Sequence, residues 1–167
     1  MAKANSGTIF TNFSNIQIGS TESGGGFKCG SPVSITDATT YTVLAYNSGK
    51  LHVFPNLSAN CTITLPTEEN GLNYEFIYGG AAADAQNWIF QTTGNTNYFK
   101  GGVVHLDANA GSAGDEVVPV YADGNSNSRL TVVTPQVGTS IKLVCDGTNW
   151  YLNGTIVSDT VPAFADQ

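Results

Sequence analysis

Charged side chains are scarce in this sequence. Its 167 residues include six Lys and Arg and thirteen Asp and Glu, so 11% are charged, where about 25% is usual for a soluble domain. Long surface helices keep Lys, Glu and Arg on their wet face, and this chain has too few to supply them. The six basic residues form no cluster and the net charge is -7. Without a basic patch, binding to nucleic acid is not expected. No apolar run approaches the ~18–20 residues of a membrane span. The first nine residues carry one Lys and no apolar core of a secretory signal, so synthesis in a cytoplasm is expected. Cysteine is sparse too: Cys29, Cys61 and Cys145 are odd in number and form no CxxC pair. That pattern supports neither a zinc site nor a disulfide framework, and Cys61 and Cys145 read as small buried hydrophobes on strands.

What the chain does have is Gly, Asn, Thr and Ser between short apolar stretches, with 19 Gly and 41% hydrophobic residues. These are the residues of turns and of polar strand faces. Cys61 to Leu65 alternates apolar residues with Thr before Pro66, and Tyr74, Phe76 and Tyr78 alternate before Gly79-Gly80. Similar stretches lie at Tyr41–Tyr46, Leu51–Val53, Trp88–Phe90, Val103–Leu106, Val117–Tyr121, Leu130–Val133, Ile141–Cys145 and Trp150–Leu152. Strands at spacings near ten residues have the rhythm of a sandwich or jelly roll. Only Ala81–Gln86 has helical composition, enough for one turn at most. The expected fold is therefore all-β, a β-sandwich or jelly-roll-like single domain over residues 34–157. An extended N-terminal arm (residues 1–33) would precede it, joined through Gly24-Gly25-Gly26, and a loose tail (158–167) would follow.

Three pieces of sequence occur in a telling order. Tyr41-Thr42-Val43-Leu44 leads to Asn47-Ser48-Gly49-Lys50. Ile63-Thr64-Leu65-Pro66 is followed by Gly71-Leu72-Asn73-Tyr74-Glu75-Phe76-Ile77. Ile141-Lys142-Leu143-Val144-Cys145 runs into Asp146-Gly147-Thr148-Asn149-Trp150-Tyr151. Over about residues 38–153 this set resembles small β-rich virion proteins of tailed phages, especially marine and cyanobacterial ones. The resemblance implies a non-enzymatic structural protein: a capsid decoration (cement) protein on the virion surface. It would bridge capsomers as a homotrimer, with the major capsid protein as its partner. The alternative is a receptor-binding or tail-fibre tip module that recognises host surface glycans. With no shaft or coiled coil in the chain, the decoration reading leads. On that reading Phe10, Phe13, Ile16 and Ile18 in the arm are the candidate contacts to the shell. Leu65, Pro66, Gly71, Asp146, Gly147 and Trp150 read as fold-specifying residues rather than chemical ones, since a recurrent fold carries no chemistry by itself.

No catalytic constellation is legible. His52 and His105 lie within apolar strand patterns, and no Gly-x-Ser-x-Gly elbow is present to pair with either. Glu68-Glu69 and Asp115-Glu116 sit beside turns, where neighbours in sequence do not oppose one another across a cleft. No phosphate-binding loop or dinucleotide fingerprint occurs, and no cofactor is expected. The nearest approach to a metal site is Asp123-Gly124-Asn125-Ser126-Asn127-Ser128, which sets oxygens of Asp123, Asn125 and Asn127 at alternate positions as a calcium loop does. It departs from that pattern at Ser128, where glycine is needed, and at Thr134, where a bidentate Glu closes the site, so a polar loop is the expected reading. Tyr98, Phe99 and Tyr121 lie near loops and are candidates for stacking on sugars or anchoring an interface.

Overall fold

The computed structural model describes residues 31–81, 83–109 and 117–167. The proposed shell contacts Phe10, Phe13, Ile16 and Ile18 lie outside the described residues, as do Cys29, the Gly24–Gly26 hinge, Asp115 and Glu116. Among the described residues twelve strands follow one another: β1 (Val33–Ser34), β2 (Thr40–Thr42), β3 (Leu51–Phe54), β4 (Cys61–Thr64), β5 (Asn70–Tyr78), β6 (Trp88–Gln91), β7 (Phe99–Asp107), β8 (Val117–Tyr121), β9 (Arg129–Val132), β10 (Ser140–Asp146), β11 (Trp150–Ser158) and β12 (Ala163–Ala165). The protein is all-β, and among the described residues the one helical element is the 3-10 turn Ala45–Asn47. That turn replaces the second half of the strand expected at Tyr41–Tyr46, and Ala81–Gln86 forms no helix among its described residues.

The strands build two sheets, ordered β1-β3-β5-β10-β11-β7-β8 and β12-β9-β6-β4-β2. From β1 to β7 the chain steps alternately from one sheet to the other. Successive strands within each sheet therefore run parallel: β1, β3 and β5 in one, β2, β4 and β6 in the other. The winding stacks equivalent residues into ladders. Val33, His52 and Phe76 stand side by side in one sheet, continued antiparallel by Ile141. Tyr41, Ile63, Phe90, Leu130 and Phe164 form the matching row in the other. Half of the strand pairings are parallel, unlike the antiparallel strands of a jelly roll. A parallel return needs a long crossover, and here the opposite sheet's strand is that crossover.

The rows meet in one aromatic core. Phe54 of β3 stacks on Trp88 of β6 with ring centroids 4.3 Å apart, and Phe76 of β5 meets Phe90 edge-on at 5.0 Å. Phe54, Phe76, Phe90, Trp88, Trp150 and Phe99 are all buried. Such rings carry a large apolar area, and edge or offset contacts add about 0.5–1.5 kcal/mol per pair beyond burial. Cys61 and Cys145 are buried free thiols on β4 and β10, as their strand patterns implied. Burial pushes the Cys61 thiol up to about 11, with Asp37 adding to the rise, so it stays protonated and packs as a hydrophobe.

The C-terminal segment is not loose. Its β12 pairs antiparallel with β9, and Phe164 packs edge-on against Phe99 at 6.3 Å. Gln167 is bound from several directions: its backbone N–H donates to Ser128 Oγ at 3.0 Å, and its amide nitrogen donates to the Thr92 carbonyl at 2.9 Å and to Thr92 Oγ1 at 3.1 Å. The alternation Ala163-Phe164-Ala165 is too short to announce a strand. It is the free edge of β9 that makes it one.

Candidate functional surface

The residues expected to specify the fold hold the turns at one end of the sandwich. Leu65 is buried and donates its N–H to the Gln91 carbonyl at 2.9 Å, after which Pro66 ends the ladder of β4. Asp146 Oδ1 accepts the N–H groups of Thr148 at 2.9 Å and Asn149 at 2.7 Å, closing the β10–β11 turn around Gly147 at φ +93°. These bonds hold the Asp146 carboxyl below its usual range. Gly71 adopts φ +91° at the start of β5. Trp150 is buried, and its indole N–H donates to Glu68 Oε1 at 3.1 Å while Glu68 Oε2 accepts from Thr93 Oγ1 at 2.8 Å. Glu68 is thus a structural acceptor that ties three turns together, a role its place in an acidic pair beside a turn does not announce.

The calcium-like loop is closed by its own hydrogen bonds. Asp123 Oδ1 accepts the N–H groups of Asn125 and Ser126 at 3.0 Å and of Asn127 at 3.3 Å, and Oδ2 accepts the Ser126 hydroxyl. The Ser126 hydroxyl first, then the backbone donors, hold the Asp123 carboxyl down at about 2. Asn127 Oδ1 faces inward to the Asp123 N–H at 2.8 Å, and the Lys100 ammonium donates to the Gly124 carbonyl at 2.9 Å. The oxygens of Asp123 and Asn127 therefore face donors, and an ammonium lies beside the loop. The arrangement is that of a capped turn. No group of three or more His, Cys, Asp or Glu residues converges into a metal site among the described residues.

One Ser–His pair does form. His105 Nε2 lies 3.1 Å from Ser158 Oγ and 3.0 Å from the Ser158 carbonyl. The Ser158 hydroxyl donates its proton to the Thr160 carbonyl at 2.8 Å, so Nε2 carries the hydrogen and the imidazole is the donor. A general base needs the reverse polarity, with its lone pair aimed at the hydroxyl proton. Both side chains are also sealed from solvent. The pair is a core hydrogen bond.

His52 is likewise internal, ringed by Tyr41, Tyr74 and Phe76, with Nδ1 3.2 Å from the Lys50 carbonyl and no partner at Nε2 among the described residues. Burial first, and the Lys50 ammonium as a smaller contribution, push its pKa below the ordinary histidine value against the pull of the Lys50 carbonyl. The unfolded chain therefore binds a proton at a higher pH than the folded one. Its contribution to stability is complete above about pH 6.5 and declines as the pH falls toward the depressed folded value. His52→Phe, which leaves nothing to protonate, is expected to flatten the fall in thermal midpoint between about pH 7 and pH 5. Melting curves of the two proteins across that window check this; parallel curves would reject it.

Asp84 escaped the sequence reading. It lies in the stretch that composition marks as helical, yet it is buried and its carboxylate accepts the N–H groups of Leu57 and Gln86, each at 3.1 Å. Burial raises its pKa, partly opposed by those bonds. Of the three aromatics expected near loops, Phe99 is a core residue, whereas Tyr121 is three-quarters exposed.

The open chemistry lies on the outer face of the seven-stranded sheet. Registers place Asn73, Val144 and Tyr151 side by side across β5, β10 and β11, with Glu75, Lys142 and Asn153 forming the next row. A groove of about 480 Å³ runs over this face, floored by Leu51 and Val144 and flanked by Lys50, Asn73, Glu75 and Lys142. Glu75 and Lys142 pair at 3.5 Å with both side chains accessible. Farther along, Val104, Val117 and Tyr121 leave an exposed apolar strip on β7 and β8. No protein-family model and no curated protein matches this chain.

Proposed function

We propose that the protein is a non-enzymatic structural component of a phage particle, a decoration protein that binds the major capsid protein and bridges capsomers as a homotrimer. The ordered set of phage-like motifs carries this reading. Its residues Leu65, Pro66, Gly71, Asp146, Gly147 and Trp150 all serve turns and core packing, the part expected of a scaffold motif. Two further features support it. The His105–Ser158 contact has the wrong hydrogen-bond polarity for a nucleophile, and the apolar strip around Val104, Val117 and Tyr121 is the kind of exposed patch that marks protein contacts.

Edge chemistry suggests how such contacts are made. Ala122 N–H donates to the Gly101 carbonyl across β7–β8, so the even-numbered residues of β8 face β7 and Val117, Pro119 and Tyr121 face the free edge. Pro119 has no N–H to offer there, which disfavours strand addition at this edge and leaves side-chain packing as the mode of docking along it. Purified protein added to capsids lacking it is expected to bind to saturation at symmetric positions, seen by cryo-electron microscopy. Removing residues 1–26 is expected to abolish that binding while size-exclusion chromatography still reports a trimer. Failure of the intact protein to bind capsids would overturn the reading, and unimpaired binding of the truncated form would overturn the role of the arm.

A further inference from the structure

The groove over β3, β5 and β10, with Tyr151 of β11 beside it on the same outer face, has a definite chemistry, and the geometry points to this surface as a binding site for a neutral carbohydrate. This goes beyond the capsid reading and does not depend on it. Sugar rings present apolar C–H faces and a rim of hydroxyls. They are held by an aromatic ring on one side and by amides and charged groups that accept and donate together on the other. All of these stand in register here. Tyr151 is about half exposed on this face. Val144, its neighbour across the β10–β11 ladder, extends the apolar platform, and Leu51 closes the floor. Asn73 flanks Val144 on the far side. The Glu75 carboxylate and Lys142 ammonium, one row away, are 3.5 Å apart and 40% and 58% exposed. A vicinal diol fits such a pair: one hydroxyl donates to the carboxylate while the other accepts from the ammonium.

Competing occupants fit less well. An extended peptide adds to a sheet through an unpaired edge, but β5 and β10 are flanked by strands on both sides. An anion would meet Glu75 in the groove on a chain of net charge -7, and the Lys50 ammonium is already donated to Asn47 Oδ1 at 2.9 Å. A wholly apolar ligand would strip water from both members of the Glu75–Lys142 pair without replacing it.

The test titrates the ¹⁵N-labelled full chain with the methyl glycosides of glucose, galactose, mannose and N-acetylglucosamine, and with sodium sulfate as the anion control. At least one glycoside is expected to shift the amides of Asn73, Lys142, Val144 and Tyr151 with a Kd of about 1 mM. Tyr151→Ala and Glu75→Gln should each weaken that binding about tenfold, at an unchanged thermal midpoint because both side chains are on the surface. Tyr151→Phe, which keeps the ring, should retain most of it. The inference is overturned if no glycoside moves these amides at about 50 mM, if sulfate binds there more tightly, or if Tyr151→Ala leaves the titration unchanged. Capsid binding is read in a separate experiment, so either reading can fail alone.

Discussion

Replacing Trp88 by alanine is expected to cost about 3–5 kcal/mol, a large share of the roughly 5–15 kcal/mol that holds a domain of this kind together. The indole is wholly buried where the two sheets meet, stacked on Phe54 at 4.3 Å and flanked by Tyr78 and Phe90 at 5.9 and 6.4 Å. No neighbouring side chain is free to fill the space, because Phe54 and Phe90 are themselves locked in ladders of stacked residues. A gentler change separates packing from polarity. The Trp88 indole N–H has no partner among the described residues, whereas that of Trp150 donates to Glu68. Trp88→Phe therefore removes an unpaired buried donor along with some volume. Trp150→Phe also breaks a hydrogen bond to a charged group, worth about 1.5–3 kcal/mol, and removes one of the bonds that hold Glu68. Urea unfolding of both phenylalanine variants should show the larger loss at Trp150. Equal losses would mean that the Glu68 bond contributes nothing.

Gly154→Ala is expected to be nearly as damaging, although it adds one methyl group. A β-carbon there would lie 2.2 Å from the Ser140 carbonyl oxygen and 2.9 Å from the Ile141 α-carbon. Both are backbone atoms of the neighbouring strand β10, which is held on its far side by β5, so relief requires separating strands at the centre of the sheet. Gly102 stands in the same position against β8, with the Val120 carbonyl oxygen at 2.4 Å. These glycines form a seam along which strands approach more closely than side chains allow. Overpacking of this kind costs about 1–3 kcal/mol or more. The expected result is a marked drop in the urea midpoint, with slowed amide exchange lost in β10 and β11 while β4 and β6 stay protected. Uniform loss of protection, or none, would count against the seam.

Most of the strands can be read directly from the chain because each obeys a period of two: Cys61-Thr62-Ile63-Thr64 and Ile141-Lys142-Leu143-Val144-Cys145 put every apolar residue on one face. The turns are equally local, since Asp146-Gly147 and Pro66 act through their own backbone preferences. The candidate site was legible only in part. Alternation alone turns Lys142 and Val144 outward together, but nothing near them in sequence says that Asn73, Glu75 and Tyr151 stand beside them. That neighbourhood depends on β5 and β11 flanking β10, and pairing is a long-range choice settled by which faces bury best. Phe99 was read as a loop aromatic for the same reason: its partner Phe164 is far along the chain.

The scarcity of charge set the class of the molecule unaided. A chain with so few ionisable groups, rich in Gly, Asn and Thr, cannot clothe long helices, and its apolar residues alternate as strands do. Tertiary structure alone decided how those strands are wound. Stepping between sheets makes β1, β3 and β5 parallel, draws Ala163–Ala165 into a strand, and turns Glu68 from a surface acid into the acceptor for a buried indole. Composition and periodicity are properties of neighbouring residues, whereas pairing and burial are shared among residues far apart in the chain, and only the folded core selects among the ways of satisfying them.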